Sequence, residues 1–248
     1  MNKVILITGG SKGIGAATAV LAAEKGYAVG LNYLKNKIAA EEVVQKIHQK
    51  GGKAIAVAAD ISIENDVLSL FTQVENKLGT ITSLVNNAGI LEQQSLLQNM
   101  TLERWERIFA INVTGSFLCA REAVKRMCLS NGGKGGTIVN LSSAATKYGA
   151  PFEYVDYAAS KGAIDVLTLG LAREVAGENI RVNAVRPGII YTDIHASGGE
   201  PNRTERLKDA IPMKRAGNAE EVAQAILWLL SDEASYVTGT ILEVTGGR

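Results

Sequence analysis

Short apolar runs rich in β-branched residues alternate along this chain with longer stretches whose apolar residues return every three to four positions. The short runs predict strands over Val4–Ile7, Ala28–Tyr33, Ala54–Ala58, Ser83–Asn86, Thr137–Leu141, Arg181–Val185 and Thr240–Val244. The longer stretches predict helices over Ile14–Lys25, Ile38–Lys50, Glu64–Leu78, Leu102–Cys128, Val155–Ala176 and Glu220–Leu230. Several strand runs lack in/out alternation, as expected where helices cover both faces of a parallel sheet. Right-handed crossovers between successive strands then build one doubly wound α/β sheet of about seven strands. No internal repeat or low-complexity linker divides the 248 residues, and glycine-rich Asn131–Gly136 reads as a turn. A single domain over residues 1–248 is expected.

Composition narrows the function. With 46% hydrophobic residues the chain can bury a full core, and a formal net charge of +1 argues against a nucleic-acid or anionic-membrane surface. No apolar run approaches membrane-spanning length; Ile226–Leu230 is among the longest. Met1-Asn2-Lys3 before Val4–Ile7 mimics a leader peptide, but the apolar stretch is short and runs into glycines. The expectation is a cytoplasmic protein with no nucleic-acid or membrane partner. Cys119 and Cys128 fall half a turn out of phase on the predicted Leu102–Cys128 helix, so they should point to opposite sides as packing residues. His48 and His195 alone form no metal-binding cluster, and no metal is expected.

Two stretches carry candidate chemistry. Tyr157 and Lys161 lie four apart on a predicted helix, hence on one face. A free phenol ionises near pH ~10, and a neighbouring ammonium favours its phenolate. The pair can give a proton to a carbonyl oxygen or take one from an alcohol. Farther back, the first strand ends in Thr8-Gly9-Gly10-Ser11-Lys12-Gly13-Ile14-Gly15 and opens a helix. Such glycines let the backbone approach a pyrophosphate, whose charge the helix amino terminus stabilises. The G-x-x-x-G-x-G spacing differs from the usual G-x-G-x-x-G fingerprint.

With both stretches in place, the chain resembles the short-chain dehydrogenase/reductase family over essentially its whole length. Thr8-Gly9-x-x-x-Gly13-x-Gly15 is similar to the family's cofactor loop, and Asn86-Asn87-Ala88-Gly89 to its fourth-strand signature. Asp60 after the third strand, with Ile61, resembles the adenine-contacting aspartate and its neighbour. Asn112, Ser142-Ser143, Tyr157, Lys161 and Arg186-Pro187-Gly188 follow in the family's order. At the tail, Thr245 replaces the aspartate commonly seen. The resemblance implies a Rossmann-type sheet with helices on both faces. It also implies catalytic roles for Asn112, Ser143, Tyr157 and Lys161. Tyr157 would give the proton, Ser143 hold the same oxygen, and Lys161 lower the tyrosine's pKa and hold the nicotinamide ribose. Asn112 would tie Lys161 to a proton-supplying water. The second serine of such Asn-x-Ser-Ser strands usually serves in the family, so the resemblance selects Ser143, with Ser142 facing the opposite side of the strand.

Cofactor contacts are expected at Gly9, Ser11, Lys12, Gly13, Ile14, Gly15, Asn32, Tyr33, Lys35, Asp60, Ile61, Asn87, Ala88 and Gly89. Tyr157, Lys161, Pro187, Gly188, Ile190 and Thr192 complete the set. The second strand ends in Asn32-Tyr33-Leu34-Lys35-Asn36, without the acid that suits NAD, while Lys12 and Lys35 suit a 2′-phosphate. NADP is expected, with NAD the alternative. Residues 189–210 should close over a small carbonyl or alcohol substrate, with Leu91, Gln94, Phe152, Tyr154 and His195 as candidate pocket residues. His195 reads as an exposed loop histidine rather than a catalytic one. The family resemblance also implies a homotetramer. A 3-oxoacyl-thioester reductase, an NAD-using glucose-type sugar dehydrogenase and an NADPH-sensing binding protein remain as alternatives.

Overall fold

The computed structural model describes residues 3–248. Met1 and Asn2, which open the leader-like stretch, lie outside the described residues. The elements run β1 (Val4–Ile7), α1 (Gly13–Glu24), β2 (Ala28–Tyr33), α2 (Lys37–Gln49), β3 (Ala54–Ala58), α3 (Glu64–Leu78) and β4 (Ser83–Asn86). Then come α4 (Leu102–Phe109), α5 (Ser116–Met127), β5 (Gly136–Leu141), α6 (Ala145–Tyr148), α7 (Val155–Val175) and β6 (Ile180–Pro187). The chain ends with α8 (Ile194–Ser197), α9 (Arg203–Leu207), α10 (Ala219–Leu230) and β7 (Ile241–Val244). Every strand run expected from the sequence is present, with ends displaced by at most a few residues.

The strands form one parallel sheet in the order β3-β2-β1-β4-β5-β6-β7. Ile5 pairs with Val29 on one side and Ser83 on the other, so the strand order reverses between β1 and β4. Ligands of open α/β sheets bind beyond the carboxyl ends of the strands at such a reversal.

The pleat divides the core in two. Val4 and Leu6 join Leu84, Ile138 and Val182 under α3, α5 and α7, while Ile5 and Ile7 join Val29, Leu31, Val85 and Val139 under α1, α2 and α10. Fully buried side chains such as Phe71, Ile5 and Leu84 each contribute about 1.5–3 kcal/mol. Gly30 shows how closely α3 sits: a Cβ there would lie 2.8 Å from the Val74 side chain.

Two expectations change at this level. The single helix expected over Leu102–Cys128 is interrupted by a wide, π-type turn over Ala110–Gly115. Such turns are frequent at functional sites, and this one carries Asn112. The two cysteines do not point to opposite sides. Both are free, buried and in the same core layer. Cys128 lies past the end of α5 with an extended ψ of 132°, so helical phase no longer governs it. Burial pushes both thiols up, Cys119 to about 12.

Candidate active site

The glycine loop is stitched to the end of β4. Thr8 Oγ1 accepts from the backbone N–H groups of Asn87 and Ala88, both at 3.0 Å, and Asn87 Nδ2 donates to the Thr8 and Gly9 carbonyls at 2.9 Å. Gly9 has φ +62°, and a Cβ there would lie 2.9 Å from Ala88 Cα. A Cβ on Gly15 would lie 2.4 Å from the Gly9 carbonyl oxygen, so α1 starts hard against the loop. Lys12 caps α1 through its backbone alone, which leaves the first-turn N–H groups without a side-chain partner and suits them to an anion.

A cleft of about 690 Å³ runs over this loop and along the strand ends. Of the residues expected to bind cofactor, all line it except Gly15, which is buried behind the loop. One of the lining residues is already committed. Asn32 is buried, its Oδ1 accepts from Gly9 N–H at 3.3 Å, and its Nδ2 donates to the Ala59 carbonyl at 2.9 Å. Both ends of its amide thus tie β2 to the neighbouring strand ends. Asp60 Oδ1 accepts from the Ser62 N–H and hydroxyl at 2.9 and 2.6 Å. Lys12 and Lys35 are exposed and form no ion pair among the described residues.

At the other end of the cleft α7 presents Tyr157 and Lys161 beside Ser143, which follows β5. The Ser143 hydroxyl stands beside the Tyr157 phenol on the cleft wall. Ser142 faces elsewhere: it is buried, and its hydroxyl makes a long 3.5 Å bond to the Lys161 carbonyl. Lys161 Nζ donates to the Leu141 carbonyl at 2.7 Å and lies 5.8 Å from the Tyr157 ring centre. Electrostatics at this spot departs from expectation. Burial pushes the Tyr157 phenol up to about 12, opposed by the polar hydroxyl of Ser143. Lys161 does not depress it, because its ammonium is turned to Leu141 and is itself pushed down by burial to about 8, opposed by Asp165.

Asn112 is fully buried and sits behind the cleft wall. Its Oδ1 accepts from Ile90 N–H at 2.8 Å, and its Nδ2 donates to the Ile90 carbonyl at 3.1 Å and to Ser160 Oγ at 3.0 Å. Gly89 lies between this amide and Lys161: a Cβ there would be 3.3 Å from Asn112 Oδ1 and 3.4 Å from Lys161 Nζ. The widened turn of the helix brings Asn112 to this point.

The substrate side mixes expected and unexpected residues. Leu91, Tyr154 and His195 line the cleft. Phe152 is 78% exposed, and Gln94 donates to Glu200 at 2.7 Å, so neither faces the cleft. His195 is not an exposed loop residue. It is 8% exposed because α8 turns its ring inward, where Nε2 donates to the Ile190 carbonyl at 3.0 Å and Nδ1 is buried without a partner. Burial holds its pKa below the usual histidine value. Sequence reasoning missed Tyr148, buried Arg203 and the Arg107–Glu92 ion pair at 3.0 Å. They come from separate segments and carry no motif. Among the described residues no cluster of His, Cys, Asp or Glu is placed to hold a metal, and no helix is long and apolar enough to cross a membrane.

Comparison with known proteins extends this geometry. A family model described as enoyl-(acyl carrier protein) reductase matches residues 9–248. The uncharacterized oxidoreductase YgfF of Escherichia coli (strain K12) is 60% identical over 245 residues, spanning 99% of both chains. Glucose 1-dehydrogenase 2 of Bacillus subtilis (strain 168) is 41% identical over 247 residues, 99% of this chain and 94% of that one. The 3-oxoacyl-(acyl-carrier-protein) reductase FabG of Staphylococcus epidermidis is 36% identical over 247 residues, 100% of this chain and 99% of that one. A solved mutant short-chain dehydrogenase/reductase of Serratia marcescens superposes with a TM-score of 0.89 at 32% identity, covering 99% of this chain and 97% of that one. Similarity of this degree, continuous from the glycine loop to the last strand, makes the protein a member of the short-chain dehydrogenase/reductase family of oxidoreductases.

Proposed function

We propose that the chain, acting as one domain, transfers a hydride between NADP(H) and a carbonyl or secondary-alcohol substrate. The observation that carries this reading is the convergence of Ser143, Tyr157 and Lys161 on the wall of the same cleft as the glycine loop. The glycine cradle, where no Cβ fits at Gly9, and the uncapped start of α1 suit a dinucleotide's pyrophosphate. Bound NADPH supplies the hydride. The protein's own residues handle the oxygen: Tyr157 Oη gives the proton to the carbonyl oxygen in reduction and takes it from the alcohol in oxidation. The Ser143 hydroxyl donates to the same oxygen as negative charge develops on it. Lys161 holds the ribose of the cofactor, and Asn112 fixes the Ile90 backbone beside it. Exposed Val166 and Leu169 on α7 support assembly with further copies, for which we take the homotetramer, in the cytoplasm.

The test of the reaction is NADPH oxidation against a panel of aldehydes, ketones, sugars and acyl thioesters. Turnover on any carbonyl supports an enzyme over a cofactor-sensing protein. No turnover across the panel, with NADPH bound, would count against the reading. The panel includes glucose-type and 3-oxoacyl substrates because two relatives are named for them.

Cofactor preference gives a second expected result. With Asn32 committed to backbone, Lys12 and Lys35 are the cations at the cleft mouth suited to a 2′-phosphate. A charge-assisted contact is worth roughly 1.5–3 kcal/mol, so NADPH should bind about tenfold or more tighter than NADH. Lys12→Ala should erode the preference with little effect on NADH. Tyr33→Asp should reverse it, since a carboxylate repels the phosphate and accepts from both ribose hydroxyls. Measured Kd values for both reduced cofactors decide it; tighter NADH binding by the wild type returns the assignment to NAD.

The depressed Lys161 pKa sets a pH limit. The ammonium is present below about pH 8 and is lost as pH rises through that value. The kcat/KM for NADPH should therefore fall with a single proton's slope above about pH 8. A flat profile from pH 7 to 10 would show that the charge on Lys161 is not needed for capture.

A further inference from the structure

The proposed chemistry requires Tyr157 to hold its hydroxyl in one place, and the structure shows what holds the backbone that carries it. Tyr157 stands in the first turn of α7, where N–H groups have no partner within the helix. Its own N–H donates to Asp156 Oδ1 at 2.8 Å. Asp156 is fully buried, and its carboxylate is gripped by one guanidinium from another helix: Arg104 Nε donates to Oδ2 at 2.6 Å and Nη2 to Oδ1 at 3.3 Å. Arg104 Nη1 donates to the Gln93 carbonyl at 2.6 Å, in the loop that follows β4. The arginine is anchored in turn at the start of α4, where its N–H donates to Thr101 Oγ1 at 3.2 Å. On the carbonyl side of Tyr157, Ser160 Oγ donates to the Tyr157 oxygen at 2.7 Å and accepts from Asn112 Nδ2 at 3.0 Å. Both backbone groups of the tyrosine are therefore held by side chains whose far ends lie in the α4 region and the wide turn after it.

We propose that Arg104, through Asp156, is a positioning residue for the reaction: it locks the first turn of α7 against the loop after β4 so that Tyr157 Oη meets Ser143 and the substrate oxygen. This inference rests on the acid–base role proposed for Tyr157. A bidentate arginine–carboxylate pair fixes direction as well as distance, which a lysine at position 104 would not do. Burial makes the pair hard to replace, because removing one partner leaves the other charge desolvated. Misplacement of a reacting group by about 1 Å can cost on the order of a hundredfold in rate. Neither Arg104 nor Asp156 lines the cleft, so their effect has to pass through Tyr157.

The test is a double-mutant cycle in the full-length protein, read as kcat for carbonyl reduction alongside the Kd for NADPH and the melting temperature. Arg104→Met should lower kcat about 10–100-fold with NADPH affinity within about twofold, and Arg104→Lys should recover only part of the loss. Because Arg104→Met leaves a buried carboxylate and threatens folding, Arg104→Met/Asp156→Asn is the companion variant, in which no charge is stranded. It should show the same kcat loss. In a Tyr157→Phe background the same changes should cost less than about threefold, since the atom they position is gone. Equal losses in both backgrounds, or kcat at the wild-type level in the companion variant, would overturn the proposal. Wild-type turnover by Tyr157→Phe itself would overturn the acid–base reading and the positioning role with it.

Discussion

Tyr157→Phe should lower kcat about a thousandfold or more while leaving the Kd for NADPH within about twofold of wild type. The phenylalanine keeps the ring that packs beside Lys161 and Ala158, so the fold and cleft lose one atom. That atom is the proton donor in reduction, and general acid catalysis with an added contact to the developing oxyanion is worth about that factor. The raised pKa sharpens the expectation. With burial holding the phenol near 12, Tyr157 is protonated across the neutral range and ready to donate, whereas oxidation of an alcohol needs the scarce phenolate. Stopped-flow measurement of NADPH oxidation separates the chemical step from cofactor release. Near-normal turnover by the variant would sink the mechanism.

The second large effect separates two adjacent serines. Ser143→Ala should lose on the order of a hundredfold or more in kcat, the scale of removing one donor from an oxyanion site, while Ser142→Ala stays within about threefold. Their partners differ. The Ser143 hydroxyl stands beside the Tyr157 phenol and accepts from Ala145 N–H at 3.2 Å, whereas the Ser142 hydroxyl has only a 3.5 Å bond to the Lys161 carbonyl. The measurement is kcat and NADPH affinity for both variants. A larger loss at Ser142 would show that the hydroxyl on the substrate oxygen is not the one beside Tyr157.

Both predictions use residues that the amino-acid sequence itself makes legible. The glycine loop, the strand–helix alternation and the Tyr157/Lys161 spacing are local patterns, and local patterns report which way a residue faces on its own element. That is why the expected strands form, and why the glycine loop, Tyr157 and Lys161 line one cleft. Asn32 is legible as a cleft residue but not as a committed one. Its partners, Gly9 and Ala59, lie 23 and 27 residues away, and only their approach consumes both ends of the amide.

What the sequence alone determined is the parallel sheet and the helix face carrying Tyr157 and Lys161, because periodicity and glycine placement are properties of a few consecutive residues. The tertiary structure decided the rest through long-range contacts. The reach of Asn112 to Ile90 accompanies the widened turn in a helix that the periodicity runs straight through. Packing of α8 buries His195, and the extended backbone after α5 returns Cys128 to the same core as Cys119. Lys161 turns to Leu141 rather than to the phenol it was expected to ionise, and Arg104 meets Asp156 across 52 positions of chain. No local pattern encodes such meetings, because each depends on where two independently formed elements come to rest against each other.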